Sequence, residues 1–193
     1  MATWCAVGPP RGRLVKAHIF VDECKVRGLL LAAAFIPPSD LAPLRKLLKG
    51  LRNPGQRRIH FSAESDERRK IILRALGNAG VEARIYDARA IKNIKVARDA
   101  AVARLVDNAA EFGAELLVLE RDDASLVADR STIRTRSEQA GCADTLRLVH
   151  KRAYEDCLLS IPDAVAWAWM KAGRWRDRIK PLVSEVIYVT DQV

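Results

Sequence analysis

Short apolar segments bounded by turn residues recur along the chain and predict five β-strands. β-Branched and aromatic residues are concentrated in Val15–Asp22, and the apolar run Leu29–Ile36 follows after a turn, so these two segments predict a hairpin. Three further strands are predicted at Arg57–Phe61, Glu82–Asp87 and Glu115–Glu120. Each is separated from the next by a segment long enough to form a helix.

Apolar residues at helical spacing predict helices between and after these strands. The stretch Ile91–Phe112 is the clearest amphipathic helix, because apolar residues recur along one of its faces. Serine, proline and glycine at capping positions set the bounds of the others. The predicted helices are Leu41–Leu51, a helix capped by Ser62 or Ser65 that runs to about Ala79, Ile91–Phe112, and a helix opened by Ser160 or Pro162 that ends at Gly173.

Three segments are less regular. Residues 1–13 are predicted to be a loose lead-in, Arg121–Arg136 a loop or short helix, and Ser137–Tyr154 mostly helix. An antiparallel opening pair followed by alternating helices and strands is typical of an α/β protein. We therefore expect one domain over residues 1–193, with a mixed five-stranded sheet (antiparallel opening strands, then parallel ones) flanked by helices.

Composition and charge narrow the function classes. The 193 residues are 49% hydrophobic and 30% charged, which supports a packed core and excludes a disordered or low-complexity protein. No apolar run is long enough to cross a bilayer, and prolines and charges interrupt the start, so we expect a cytoplasmic protein without a signal peptide. A net charge of +9 favours contact with polyanions, of which nucleic acid is the commonest.

The cysteines and histidines predict no zinc site and no disulfide framework. Cys5, Cys24, Cys142 and Cys157 contain no Cys-x-x-Cys pair, and the three histidines are scattered. We expect free thiols.

Acidic residues at the ends of apolar strands are the most informative chemical feature. Three predicted strands end in this way, at Asp22, Asp87 and Glu120, while Glu64 lies near a helix start and Asp163 in the first turn of a helix. Carboxylates that converge repel one another unless a divalent cation lies between them, and oxygen ligands suit Mg²⁺ or Mn²⁺. The sequence thus indicates a metal centre that activates water against a phosphodiester. The spacing of the acids does not decide between such a centre and ordinary structural roles.

Each of these residues also has an ordinary structural explanation. Asp22 lies beside a turn and is a typical turn former. Asp163 could complement the dipole of its own helix, and Glu120 could belong to a solvated charge run. His60 could be a strand histidine with satisfied hydrogen bonds.

Trp167 and Trp169 point about 200° apart on a helix, so we expect one in the core and the other exposed at a partner surface that Trp175 and Arg176 would extend. The alternative, core packing for most of this cluster, is the commoner arrangement of tryptophans. A homodimer is one partner that such a surface would serve.

Four segments together resemble the domain-of-unknown-function 3800 family, a bacterial and phage group regarded as ribonuclease H-like. The likeness covers residues 18 to about 170 and rests on the order and spacing of short motifs. Where the family has Asp-Glu-Ser, this chain has Asp-Glu-Cys. The segments are His18–Cys24 with the small apolar strand after it, R-I-H-F-S-A-E with Arg68-Arg69, L-L-V-L-E-R with Asp129-Arg130 downstream, and Leu158–Trp169.

The resemblance implies a ribonuclease H-like sheet with an acidic metal centre for two Mg²⁺ or Mn²⁺ ions. Carried over by position, Asp22 would be the principal ligand, Glu120 and Asp163 would complete the cluster, and Asp87 is the alternative to Glu120. Glu64 would be a fourth acid and His60 a proton-transfer group. The expected function is a nuclease or phosphodiester hydrolase, and the alternative is a non-catalytic nucleic-acid-binding or protein-interaction module. The residues expected to contact phosphates are Arg57, Arg58, Arg68, Lys92, Lys95, Arg174 and Arg176.

Overall fold

A six-stranded mixed sheet organises the computed structural model, which describes residues 16–190. The strand order is β5-β4-β1-β2-β3-β6. β1, β2 and β3 form an antiparallel meander, β4 and β5 run parallel to β1, and β6 runs parallel to β3. The strands are β1 (His18–Cys24), β2 (Leu30–Ile36), β3 (Glu82–Asp87), β4 (Leu116–Glu120), β5 (Arg147–Lys151) and β6 (Val183–Tyr188).

Within residues 16–190, six α-helices cover the two faces of this sheet. One core cluster packs α1, α2, α5 and α6 against the face that carries Phe20 and Val118, which we call the α5 face. The second cluster packs α3 and α4 against the face that carries Val21 and Leu119, which we call the α3 face. The helices are α1 (Leu41–Leu51), α2 (Asp66–Asn78), α3 (Ile94–Glu111), α4 (Leu126–Gln139), α5 (Ser160–Lys171) and α6 (Gly173–Ile179).

The alternation of side chains along β1 and β4 decides which acids point the same way. Successive residues of a strand face opposite sides of the sheet. Phe20 and Val118 lie in the cluster on the α5 face, so Asp22 and Glu120, two residues further along, point to that face as well. Glu23, one residue on, points to the α3 face. Every residue of β2 is buried, because helices cover both sides of this strand.

The predicted α/β class and mixed sheet are confirmed, but the sheet has six strands instead of five. The predicted strand Arg57–Phe61 is wrong: the chain turns at Pro54-Gly55, runs as a loop, and ends in a 3-10 helix at Phe61–Ala63. Side chains of α5 replace the missing strand partners, since Ser160 Oγ donates to the carbonyl of Ile59 and Phe61 N–H donates to Asp163.

The C-terminal half departs from prediction more than the N-terminal half. The segment Arg121–Arg136, for which a loop or short helix was predicted, contains most of the regular helix α4. The prediction of a mostly helical segment over Ser137–Tyr154 is wrong. α4 ends before Gly141, whose φ of +68° takes the backbone out of the helix, and β5 follows. No strand was predicted at β6. The predicted lead-in over residues 1–13 lies outside the described residues.

Three further predictions concern the cysteines, a membrane-spanning helix and the tryptophans, and they are compared with residues 16–190. Cys24, Cys142 and Cys157 are free thiols, as expected, while Cys5 lies outside this range. No helix in the same range has the length and apolar character needed to cross a membrane. Trp175 is 3% exposed and packs edge-on against Trp167 at 5.5 Å, so this tryptophan belongs to the core and offers no partner surface.

Candidate metal centre and nucleic-acid interface

A cleft of about 450 Å³ opens where β1 and β4 end on the α5 face. Val21 pairs with Leu119 across these parallel strands, so the next residues, Asp22 and Glu120, lie side by side at the strand ends. We call this feature the carboxylate cleft. It is lined by Asp22, Glu23, Lys25, Arg58, His60, Glu120, Arg121, Asp122 and Asp163.

Asp163 reaches the cleft from the first turn of α5. Its Oδ2 accepts a hydrogen bond from the backbone N–H of Phe61 at 2.9 Å and lies 3.5 Å from His60 Nδ1. The carboxylate therefore caps a different segment and makes no side-chain cap on its own helix. The alternative prediction, in which Asp163 only complements the dipole of its own helix, does not account for these contacts.

The loop that was predicted as a strand supplies two of the four basic side chains that line the cleft, Arg58 and His60. Arg58 Nη1 lies 3.3 Å from Glu120 Oε1, and the two form an ion pair. His60 is half exposed, and its Nε2 lies 3.0 Å from Ser62 Oγ. Because Asp163 anchors the N–H of Phe61, the same contact fixes the position of His60 beside it.

Three carboxylates, Asp22, Glu120 and Asp163, line the same cleft and repel one another. Burial, together with the negative charges of Glu120 and Asp163, raises the pKa of Asp22 well above its usual range. The Glu120 carboxyl also lies within hydrogen-bonding reach of Asp22 and raises the pKa further, while Arg58 opposes the shift. A positive charge at this point would relieve the repulsion.

The donor set of the cleft matches the chemistry of Mg²⁺ or Mn²⁺, because three carboxylates from three elements supply only hard oxygen atoms. Within residues 16–190, however, no three His, Cys, Asp or Glu side chains are arranged as a ready ligand set for a metal ion. Arg58 instead provides the positive charge beside Glu120. The three carboxylates therefore match a divalent cation in donor chemistry, but residues 16–190 do not hold them in a metal-ligand arrangement.

Two predicted acids lie away from Asp22. Glu64 is 5% exposed, and its carboxylate accepts hydrogen bonds from Gln56 and Arg68, so it ties the loop after α1 to α2. Asp87 ends β3, which is separated from β1 by β2, and it pairs with Arg89. Burial raises the pKa of Asp87, but the hydrogen bonds from Arg89 outweigh it and leave a net decrease. The structure therefore brings Glu120, and not Asp87, next to Asp22.

Three of the seven predicted phosphate-binding residues have internal partners outside the cleft. Arg68 bonds to Glu64 and to the carbonyl of Leu51, and Arg176 donates to the carbonyl of Trp169. Arg174 pairs with Asp66 at 2.6 Å. Of the remaining predicted residues, Arg58 lines the cleft, Arg57 is exposed beside it, and Lys92 and Lys95 are exposed at the start of α3.

A buried charge network behind the cleft was missed by the sequence analysis. On the α3 face, Glu23 forms an ion pair with Arg98 of α3, which also makes a two-pronged contact with Asp129 of α4 at 2.7 and 2.9 Å. His150 of β5 lies 3.5 Å from the same aspartate. Burial raises the pKa of Asp129, but Arg98 and His150 outweigh it and lower the pKa overall. Two of its members lay in motifs that the sequence analysis had singled out, Glu23 in His18–Cys24 and Asp129 beside Arg130.

Lys25 is the other missed residue. It lies in the turn between β1 and β2 and pairs with both Glu23 and Asp122. The hydrogen bond from Lys25 is the main cause that lowers the pKa of Asp122 to about 2. This contact holds the hairpin against the loop after β4, and no local pattern in the sequence indicates it.

The comparisons with known proteins bear on the fold. No protein-family model matches the sequence, and no curated protein matches it. One solved structure that matches is the PCNA:RNase HII complex from Archaeoglobus fulgidus; the likeness has a TM-score of 0.52 at 19% identity and covers 86% of this chain and 76% of the other. With the observed strand order, it shows that the chain has a ribonuclease H-like fold.

Proposed function

We propose that this protein is a divalent-metal-dependent nuclease or phosphodiester hydrolase that acts on nucleic acid. One observation carries the proposal: Asp22, Glu120 and Asp163 come from three different elements and converge in one cleft, with the charges of the last two raising the pKa of the first. The position of the cleft at the end of the central β1 strand of a ribonuclease H-like fold supports it. The net charge of +9 favours a polyanionic substrate.

Each residue of the cleft has a distinct role in this proposal. Asp22, Glu120 and Asp163 would hold Mg²⁺ or Mn²⁺, which when bound supplies Lewis-acid stabilisation of charge on a phosphodiester and a more acidic water. Arg58 binds Glu120 in the free protein and orients a substrate phosphate next to it. His60, with Asp163 beside one ring nitrogen and Ser62 beside the other, holds and transfers a proton at the mouth of the cleft.

The test is cleavage of labelled single-stranded RNA, single-stranded DNA, an RNA–DNA hybrid and duplex DNA, with Mg²⁺, with Mn²⁺ and with EDTA. We expect metal-dependent cleavage that falls by about 100-fold or more in Asp22→Asn, because several kcal/mol of charge stabilisation are lost with a metal ligand. Asp144→Asn is the matched control: Asp144 is exposed, lies in the turn before β5, and should retain wild-type activity.

Full metal-dependent cleavage by Asp22→Asn would overturn the assignment of the centre. Nucleic-acid binding without cleavage of any of the four substrates would instead assign the chain to the alternative, a binding module on the same fold.

A further inference from the structure

We infer that Arg57 and Tyr154 form a platform on which an unpaired base of single-stranded nucleic acid stacks beside the carboxylate cleft. This inference rests on the proposed function and specifies its substrate: a strand with at least one unstacked nucleotide next to the phosphate held at the cleft. The two residues are 97 positions apart in the sequence, and neither lies in a regular helix or strand.

The pair differs from the other contacts between cations and aromatic rings in the described part of the chain. The guanidinium carbon of Arg57 lies 4.5 Å from the centroid of the Tyr154 ring, and Tyr154 is 49% exposed. In the remaining pairs the ring is buried or only partly exposed, as with Arg69 on Trp167 and Arg176 on Trp169. Those rings fill the core and its margin. The Tyr154 ring is instead exposed, so a ligand can reach it.

The positive charge of Arg57 is also available to a ligand. Among residues 16–190, Arg57 has no carboxylate within ion-pair distance, whereas its neighbour Arg58 pairs with Glu120 and Arg152 pairs with Asp123. A guanidinium that already lies over a ring can extend the stacking surface and meet a phosphate with the same group.

Both halves of the platform are attached to the segments that hold Glu120. Arg57 directly precedes Arg58, whose guanidinium contacts Glu120 at 3.3 Å. Tyr154 follows three residues after Lys151, which is the register partner of Glu120 across β4 and β5. A base stacked on Tyr154 therefore belongs to a strand whose backbone passes near the cleft.

Local hydrogen bonds hold both segments in place before any ligand arrives. Arg52 donates to the carbonyl of Arg57 at 3.0 Å, and the turn that carries Tyr154 is closed by the N–H of Glu155, which donates to the carbonyl of Arg152 at 2.8 Å. A platform ordered in this way loses little conformational entropy on binding.

Stacking distinguishes single strands from duplexes. An aromatic ring can stack on a base only when that base has left its neighbours, as it does in single strands, loops and ends. Duplexes present phosphates and groove edges, which arginine can contact without the tyrosine. The presence of an exposed ring under the arginine therefore favours the single-stranded form.

The experiment compares the binding of a fluorescein-labelled single strand of about 12 nucleotides with that of a blunt duplex of the same sequence, by anisotropy in EDTA so that no cleavage occurs. We expect Tyr154→Ala to weaken single-strand binding by about 5- to 150-fold, the range that loss of one base–aromatic stack produces. Tyr154→Phe keeps the ring and should bind within about twofold of wild type. Duplex binding should not change in either variant.

Tyr188→Ala is the matched control, since Tyr188 is 76% exposed and ends β6, at the opposite edge of the sheet from β5. A loss in Tyr154→Ala that is equal for single strand and duplex, or no loss at all, would overturn the platform and leave the nuclease proposal standing. If the wild type binds neither form in EDTA, the platform is overturned, and the cleavage assay with Mg²⁺ or Mn²⁺ decides the nuclease proposal separately.

Discussion

Asp22 shows how one side chain can serve chemistry at the expense of stability. Its carboxylate is partly buried and faces two others, so its ionised form is disfavoured in the folded chain. The N–H of Glu23 donates to Asp22 Oδ1 at 2.7 Å, a bond that an asparagine amide oxygen can also accept. Clustered like charges of this kind are typical of sites where function opposes stability.

Substitution Asp22→Asn should therefore stabilise the metal-free protein. We expect the melting temperature in EDTA at neutral pH to rise by about 2–4 °C, the shift that about 1 kcal/mol produces in a chain of this size. Differential scanning calorimetry on wild type, Asp22→Asn and the control Asp144→Asn measures it. A lower melting temperature for Asp22→Asn would mean that the carboxylate is a net stabilising group.

At the scale of elements, the buried network on the α3 face ties four of them together. Arg98 of α3 contacts Glu23 at the end of β1 and Asp129 of α4, and His150 of β5 lies against the same aspartate. The side chains of Arg98 and Asp129 are 8% and 1% exposed. A buried charge that loses its partner is costly, because water cannot replace the contact.

We expect Arg98→Met to lower the free energy of unfolding by about 3–5 kcal/mol, since it removes the buried guanidinium that Glu23 and Asp129 share. Urea unfolding followed by circular dichroism measures the change. The matched control is Arg104→Met, an exposed arginine of the same helix, for which the change should stay within about 0.5 kcal/mol. Equal losses in the two variants would show that the network contributes no more than a surface charge.

At the scale of the whole molecule, the fold gathers distant parts of the chain at one end of β1. Because β4 joins β1 in parallel on one side and α5 packs on the sheet, residues 22, 120 and 163 meet. Many lysine and arginine side chains within residues 16–190 are engaged in ion pairs, so the +9 net charge of the sequence does not by itself mark a binding face. The described surface near the cleft carries Arg57 and Arg58.

Binding of a divalent cation to this gathered site should stabilise the whole fold by mass action. At Mn²⁺ concentrations near 100 times Kd, we expect about 2.7 kcal/mol, which raises the melting temperature by about 5–10 °C. Thermal unfolding with increasing Mn²⁺ measures the shift, and Asp22→Asn should lose it while Asp144→Asn keeps it. An equal shift in all three proteins would place the cation outside the carboxylate cleft.

Local patterns were sufficient for the elements with strong periodicity and for two of the three converging acids. β2 and α1 follow directly from an apolar run and from leucines at helical spacing, and Asp22 and Glu120 stand out as acids that end apolar strands. These features depend on neighbours in the sequence, which is why the sequence alone predicts them.

Contacts between distant segments decided the rest. The segment 57–61 resembles a strand, but α5 provides its hydrogen-bond partners and keeps it a loop. Asp87 ends an apolar strand just as Glu120 does, and only the strand order, with β2 between β3 and β1, separates it from Asp22. Asp163 joins the cleft because α5 packs on the sheet, 141 residues after Asp22. A local pattern reports burial and backbone preference, whereas the pairing of strands and the packing of helices select which polar groups meet.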